Sequence, residues 1–261
     1  MIWLLSLRRH RALSLTDQGK RMNVKNEKEI RNVNDGGSSL LKAVELIAIN
    51  AVDAKALVSK YKIKAKQSKP DANDREIVDV VVKKIISRYA KLSATSGGAT
   101  ALTGVVPGIG TALAMVGGGL TDATISMKFQ VDMTMCIAEA MGWDMTNEDA
   151  RRATYLIVGM GALEKFGVDE GTKLASKAGV RLVKKYLSGA VLVVTKEIFQ
   201  KFGITFTRKA FEKALPLGIG VVIGASFGYA LTKYVGKQTY QWFIIEGEEN
   251  ARSSDVEEMI D

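Results

Sequence analysis

Residues 92–121 read LSATSGGATALTGVVPGIGTALAMVGGGLT, a run without a charged side chain that is interrupted at its middle by Pro107-Gly108-Ile109-Gly110. Residues 122–141, DATISMKFQVDMTMCIAEAM, follow it directly, and half of them are methionine, isoleucine, valine or alanine. A second uncharged run, Ala214 to Thr232, contains Pro216-Leu217-Gly218-Ile219-Gly220. A Pro-Gly turn between apolar halves is typical of a helical hairpin. The two runs therefore predict a helical protein that enters, lies against or mimics a bilayer.

The rest of the chain supports an all-α helical bundle with two Gly/Pro-rich apolar hairpin segments. Proline occurs three times, and apolar and polar residues nowhere alternate as in a strand. Thr146, with Asp149 three residues later, resembles a capping box, and Gly167 is placed to end that helix. The predicted helices span about 39–60, 73–91, 110–141, 146–166, 169–187, 189–202, 205–214 and 216–245, with a basic linker at Lys60–Lys69.

Three segments are predicted along the chain. Residues 1–37 form a tail that is disordered or includes a mis-annotated start, because Met22 precedes a polar stretch, and a short interfacial anchor is the alternative for residues 1–21. Residues 38–245 form one helical domain. Residues 246–261 are acidic and are expected to be flexible.

The composition favours an anionic partner. The formal net charge is +9 and the pI about 9.5, which suits phospholipid head groups or nucleic acid. A mean hydropathy of +0.05 favours lipid, and an aromatic content of only 7% makes nucleic acid the less favoured partner. One cysteine, Cys136, and one histidine, His10, leave no disulfide framework and little metal chemistry, so neither a metal nor a cofactor is predicted.

The two apolar runs leave three arrangements open. Each half of residues 92–121 is shorter than the ~20 residues that a helix needs to span a bilayer. Shallow re-entrant insertion, burial within a soluble bundle and true spans all remain possible outcomes. The residues expected to insert or to pack closely are Pro107, Gly108, Gly110, Pro216, Gly220, Gly224 and Gly228. Glycine recurs at every fourth position from Gly220 to Gly228, and again at Gly236, as in a glycine zipper that allows close helix packing or self-association into a homo-oligomer.

A cationic stripe is predicted on the helix at about 169–187. Its members recur at helical spacing opposite Leu174, Ala178 and Leu182, as in a helix that lies on anionic lipid. They are Lys173, Lys177, Arg181, Lys184 and Lys185. An ordinary solvent-exposed face of a bundle helix is the alternative.

Polar side chains interrupt the apolar helix that follows the first hairpin. Asp122, Gln130, Asp132 and Glu139 could line a polar pocket for a ligand or for acid/base chemistry. The alternative is a solvated stripe, or an ion pair with Lys128 or a neighbouring helix. No catalytic residue is predicted, because the chain has no phosphate-binding loop with its lysine, no complete dinucleotide-binding glycine motif and no nucleophile elbow.

The order of several of these residues resembles the EcsC family of bacterial proteins over roughly residues 40–235. They are Ser93-Ala94-Thr95, Val106-Pro107-Gly108, Asp122, Gln130 and Gly142-Trp143-Asp144, with Trp143 where tyrosine is more usual. The resemblance implies a helical bacterial domain at residues 38–245. It also implies an accessory role near a membrane transporter, because the family takes its name from a gene beside those of an ABC transporter.

The sequence thus predicts a non-enzymatic protein, cytoplasmic or peripheral at the cytoplasmic face of the bacterial inner membrane. Basic helices would bind anionic lipid, and the glycine-rich hairpins would insert. Two alternatives are a soluble enzyme or ligand-binding protein with a pocket around Asp122, Gln130 and Asp132, and an effector that permeabilises membranes.

Overall fold

A computed structural model describes residues 38–95, 108–116, 120–168, 172–214 and 220–258. Within these ranges the regular structure is helical and contains no strand, so the predicted all-α fold class is confirmed. The described residues all belong to one compact unit that begins at Gly37. The predicted tail at residues 1–37 lies outside the described residues, as do residues 96–107, 117–119 and 215–219 of the two hairpins, including Pro107 and Pro216.

The described residues form nine α-helices. In chain order they are α1 (38–47), α2 (Ala51–Ser68), α3 (Asp74–Thr95), α4 (Ile109–Val116), α5 (Thr121–Ala140), α6 (Glu148–Phe166), α7 (Lys177–Leu187), α8 (Val191–Ala214) and α9 (Gly220–Glu258).

Helix α5 is the centre of the bundle. Every residue from 123 to 138 is buried, and α2, α3, α4, α6, α8 and α9 pack around the helix. Met127, Met133 and Met135 are among its fully buried side chains. Because full burial of one such side chain contributes about 1.5–3 kcal/mol, this helix supplies a large part of the stabilising free energy. The helix has no solvent face along residues 123–138, and six of the buried side chains are polar or charged: Thr124, Ser126, Lys128, Gln130, Asp132 and Thr134.

Helix α9, of 39 residues, runs along α3 and α5. Glycines permit the close approach: a Cβ at Gly228 would lie 2.7 Å from the Ser93 carbonyl oxygen, and one at Gly236 only 2.9 Å from Ile86 Cγ1. Gly220 and Gly224 belong to α9, but the structure does not describe what packs against them. The structure thus gives Gly228 and Gly236 a packing role within one chain.

Aromatic side chains join the C-terminal end of α5 to α9. Trp143 makes edge contacts with Trp242 and Phe243, with ring centroids 5.9 and 5.1 Å apart. Gly142, with φ 93°, provides the left-handed turn that brings Trp143 back over this end. Trp242 and Phe243 are themselves buried, so the contact fixes α9 against the core.

The predicted first helix, 39–60, is divided in two, and the predicted basic linker is wrong. The chain leaves the helix at residues 48–50, where Asn50 caps α2 by accepting the Asp53 amide through its side chain. Lys60–Ser68 then continue α2 as helix, because Val58, Tyr61 and Ala65 carry the packed face onward. Of the lysines between them, Lys60 and Lys64 are exposed and Lys62 is partly buried.

Two other predicted boundaries differ at helix starts. Asn147, not Thr146, caps α6, and its side chain accepts the Asp149 and Ala150 amides. Thr146 instead donates its hydroxyl and its amide to the Asp144 carboxylate in the preceding turn. The helix expected at 169–187 begins only at Lys177, after the Ser176 cap. Gly167 does end α6 in a left-handed conformation, φ 69°, as predicted.

Three predicted helix ends do not coincide with ends in the structure. The helices expected at 189–202 and 205–214 form the single helix α8, in which Gly203 allows Leu40 and Leu120 to approach. The helix expected at 110–141 is described as α4 and α5, and residues 117–119 lie outside the described residues. Helix α9 does not fray at Glu246 but continues to Glu258, because Glu246 is buried against α7.

Two glycines of α9 should respond in opposite directions to the same substitution. Gly228→Ala places a methyl group against the Ser93 backbone and is expected to lower the free energy of unfolding by about 1–3 kcal/mol. Gly247→Ala, where a Cβ would meet nothing within 4 Å, is expected to raise it by about 0.5–1 kcal/mol through helix propensity. Urea denaturation of both variants measures the difference. Equal effects at the two positions would contradict the close packing at Gly228.

Candidate functional site

An ion pair between Lys128 and Asp132 lies inside the bundle on α5. Both side chains are buried, and Lys128 Nζ donates to Asp132 Oδ2 one helical turn away. The other carboxylate oxygen, Oδ1, accepts the backbone amide of Ile49 at 2.8 Å. Ile49 lies between α1 and α2, where the intrahelical hydrogen bonds stop. The Asp132 carboxylate therefore ties the corner between these helices to the centre of the fold.

Burial and partners act in opposite directions on Asp132. Removal from water raises the pKa of the carboxyl, while the charge and hydrogen bond of Lys128 and the Ile49 amide lower it. One turn further on, Cys136 Sγ lies 3.7 Å from the Tyr89 hydroxyl of α3. Burial raises the pKa of Cys136 to about 12. The thiolate is scarce at neutral pH and the side chain is covered, so we assign Cys136 a packing role.

The structure separates the four residues predicted to line a polar pocket. Asp122 is exposed at the start of α5, and Glu139 is partly buried near its end. Gln130 and Asp132 are two residues apart and so point to opposite sides of the helix, about 200° apart. Asp132 pairs with Lys128, which is the alternative that the sequence left open.

Gln130 belongs to a second polar face of α5. Its Nε2 donates to the carbonyl oxygen and hydroxyl of Ser126, at 3.2 and 3.1 Å. Its Oε1 is buried and makes no hydrogen bond to any described atom. Thr134, one turn further on, lies with its hydroxyl 3.4 Å from that of Thr239 on α9. The Thr134–Thr239 contact places this face of α5 against α9.

Within the described ranges, no group of three or more His, Cys, Asp or Glu side chains could hold a metal ion.

Of the predicted cationic stripe, part is paired with acids of α9. Arg181 lies 3.7 Å from Glu249, and Lys184 Nζ lies 3.6 Å from Glu246 and donates to Asn250 Oδ1 at 2.7 Å. The packed side of α7 is formed by Val180 and Val183. These two ion pairs therefore join α7 to α9, and their cations are partly neutralised.

The rest of the stripe is exposed. Lys173 precedes α7, Lys177 begins it and Lys185 is in its last turn. These three lysines form no ion pair with the described part of the chain. Past the end of α7, Leu192 and Val193 are 55% and 60% exposed at the start of α8. The stripe thus contains three lysines without an ion-pair partner among the described residues, rather than a continuous row of five unpaired cations.

The basic face of α2 was not predicted, because the lysines of Lys60–Lys69 were expected to form a linker. Helix α2 carries five lysines and one acid, Asp53. A signal was present in the sequence: Val58, Tyr61 and Ala65 maintain helical spacing through the lysine-rich stretch. Tracing that spacing would have placed the lysines on the outer side of a helix.

Comparison of the chain with protein-family models, curated proteins and solved structures finds no match. The resemblance to the EcsC family therefore stays a prediction. Function is therefore inferred from the charges, the burial and the contacts of the described residues.

Removal of one partner from the buried pair should be costly. Asp132→Ala leaves Lys128 buried without its counter-ion and the Ile49 amide without its acceptor, and we expect the free energy of unfolding to fall by about 3–5 kcal/mol. The double variant Lys128→Met/Asp132→Leu removes both charges and is expected to recover most of that loss. Urea denaturation followed by circular dichroism measures both. A loss below about 1 kcal/mol for Asp132→Ala, the size of a surface pair, would contradict a structural role for the pair.

Proposed function

We propose that this protein binds the anionic surface of a membrane as a peripheral, non-enzymatic helical protein. The observation that carries the proposal is the excess of basic over acidic side chains within two surface helices, of which α2 keeps more cations without an ion pair. Helix α2 has five basic side chains and one acidic, and α7 has four basic and none acidic. Such faces attract anionic phospholipid head groups.

The expected strength follows from the number of cations that reach the surface. Each lysine or arginine near an anionic leaflet contributes about 1 kcal/mol, and the attraction decays within a Debye length. A patch of three to five lysines therefore provides reversible binding without a spanning segment. Within the described ranges, none of the helices combines the length and apolar character needed to cross a bilayer.

The location we propose is the cytoplasmic face of the bacterial inner membrane. It is supported by the resemblance of residues 40–235 to a bacterial family named for its proximity to transporter genes. A transporter as partner, and self-association along the α9 glycines, belong to the same proposal. Of the hairpin residues that the structure describes, Ile109 and Ala112 are buried and Gly228 packs against Ser93, so the proposed apolar insertion depends on the remaining residues of the hairpins.

The geometry gives less support to the two alternatives. A ligand pocket around Asp122, Gln130 and Asp132 would need those side chains to converge, whereas one is exposed and two point to opposite sides of α5. Membrane permeabilisation would depend on the hairpins. No contact of the described residues favours it.

Flotation with liposomes tests the proposal. The purified chain should float with vesicles containing about a third phosphatidylglycerol, and not with pure phosphatidylcholine vesicles. Raising the salt from about 0.05 M to about 0.5 M should release it, because exposed charges are then screened over a shorter distance. Binding that survives high salt would add apolar insertion to the mechanism. A protein that stays at the bottom with both lipids at low salt would contradict the proposal.

A further inference from the structure

We propose that the outer face of α2 is the surface on which the protein lies against anionic phospholipid, an inference that rests on the proposed membrane binding. We call this surface the α2 face. Two exposed aliphatic side chains form its ridge, and lysines line both flanks. Its residues are Val52, Lys55, Ala56, Ser59, Lys60, Ile63, Lys64 and Lys66.

The ridge is apolar and exposed. Val52 is 74% exposed and Ile63 is 58% exposed, both on the outer side of α2. They are eleven residues apart, which brings them to within about 20° of each other around the helix and about 17 Å apart along it. Exposed Ala56 and Ser59 lie between them. Isolated exposed aliphatic residues are common, but these two share one helix face and are bordered by lysines, an arrangement that suits shallow contact with lipid head groups.

The lysines lie on both sides of that ridge. At 100° per residue, Lys60 and Lys64 are on one flank, and Lys55 and Lys66 are on the other. Lys60 and Lys64 form no ion pair with any described residue, the charge of Lys55 acts on the nearby Asp144 carboxylate without a close ion pair, and Lys66 lies 3.6 Å from Asp74. Long lysine stems can cover apolar surface while the ammonium groups reach phosphate. The face therefore offers cations at the level of the head groups on either side of a shallow apolar ridge.

The opposite side of α2 is firmly attached to the bundle. Ala54, Val58 and Ala65 are buried against the core, and α2 packs on α3 and α5. The N-terminal end of α2 is fixed by the Asn50 cap. One residue earlier, the backbone amide of Ile49 donates a hydrogen bond to Asp132. Since the backbone is already ordered, docking on lipid costs little conformational entropy beyond that of the side chains.

Helix α7 is less suited to the same contact. Arg181 and Lys184 are paired with Glu249 and Glu246, so lipid would have to compete with those carboxylates. No large aliphatic side chain of α7 itself is exposed. The exposed pair Leu192 and Val193 belongs to α8. We therefore assign the principal contact to α2.

The chemistry of the α2 face favours lipid over other anionic partners. A second copy of the chain docked through the same face would be repelled, because both α2 faces are positive. Single-stranded nucleic acid would require exposed aromatic rings for stacking, and the one aromatic side chain of α2, Tyr61, is partly buried and packs on the core. Phospholipid matches both the lysines and the aliphatic ridge.

Matched charge variants test the assignment by vesicle flotation. Lys55→Gln/Lys60→Gln/Lys64→Gln removes three exposed charges from α2, and Lys173→Gln/Lys177→Gln/Lys185→Gln removes three unpaired charges around α7. Both lower the net charge by the same amount from +9. The α2 variant is expected to bind anionic vesicles about 100-fold more weakly, since three lysines each contribute about fivefold. The α7 variant is expected to stay within about fivefold of the parent protein.

The ridge has its own pair of variants. Val52→Ser/Ile63→Ser should weaken binding to anionic vesicles about tenfold, and Leu192→Ser/Val193→Ser should leave it nearly unchanged. All of the substituted side chains are exposed, so circular dichroism and the urea midpoint of each variant should match those of the parent protein. These measurements separate lost binding from lost folding.

Each result has a separate meaning. Loss of binding in the α2 variants, with retention in the α7 and α8 variants, supports the α2 face. Equal losses, or a larger loss in the α7 variant, would overturn it while leaving membrane binding in place. Failure of the parent protein to bind vesicles would overturn the proposed function itself. Binding to a DNA duplex through α2 without binding to vesicles would overturn lipid as the occupant.

Discussion

The fold depends on a helix that has no solvent face. Because α5 is covered from residue 123 to residue 138, its polar side chains must find partners inside the bundle. Asp132 does so with one oxygen on Lys128 and the other on the Ile49 amide. The first contact neutralises a buried charge, and the second supplies a partner for an amide that the interruption between α1 and α2 would leave unbonded. The Asp132 carboxylate thus stabilises both the buried Lys128 and the corner between α1 and α2.

The corner between α1 and α2 determines which side of α2 faces solvent, and so where its lysines lie. Helix α2 starts from the fixed residues Ile49 and Asn50 and buries Ala54, Val58 and Ala65, so its lysines and the aliphatic side chains Val52 and Ile63 face outward. On the other helix with a strong positive charge, α7, the acidic end of α9 approaches closely enough to pair with Arg181 and Lys184. The two basic helices therefore differ in how many of their cations remain free for a partner.

The sequence predicted what local pattern and composition control. Helix α3, the Gly167 end of α6 and the all-α class follow from helical spacing and from glycine's conformational freedom. Features that depend on tertiary contacts were missed. Burial of Glu246 beside Lys184 extends α9, and the Asp144 carboxylate takes the Thr146 hydroxyl that was expected to cap α6. The lysine-rich half of α2 is helical because its inner residues pack, which charge content alone does not reveal.

The most direct measurement is the local polarity at single labelled sites during membrane binding. Ile63→Cys and Leu192→Cys each add an exposed thiol for an environment-sensitive fluorophore, while the buried native Cys136 stays unlabelled under native conditions. On anionic vesicles, a blue shift and increased intensity are expected for the label at position 63, with little change at position 192. A shift confined to position 192, or the same spectrum with and without vesicles at position 63, would contradict docking through α2.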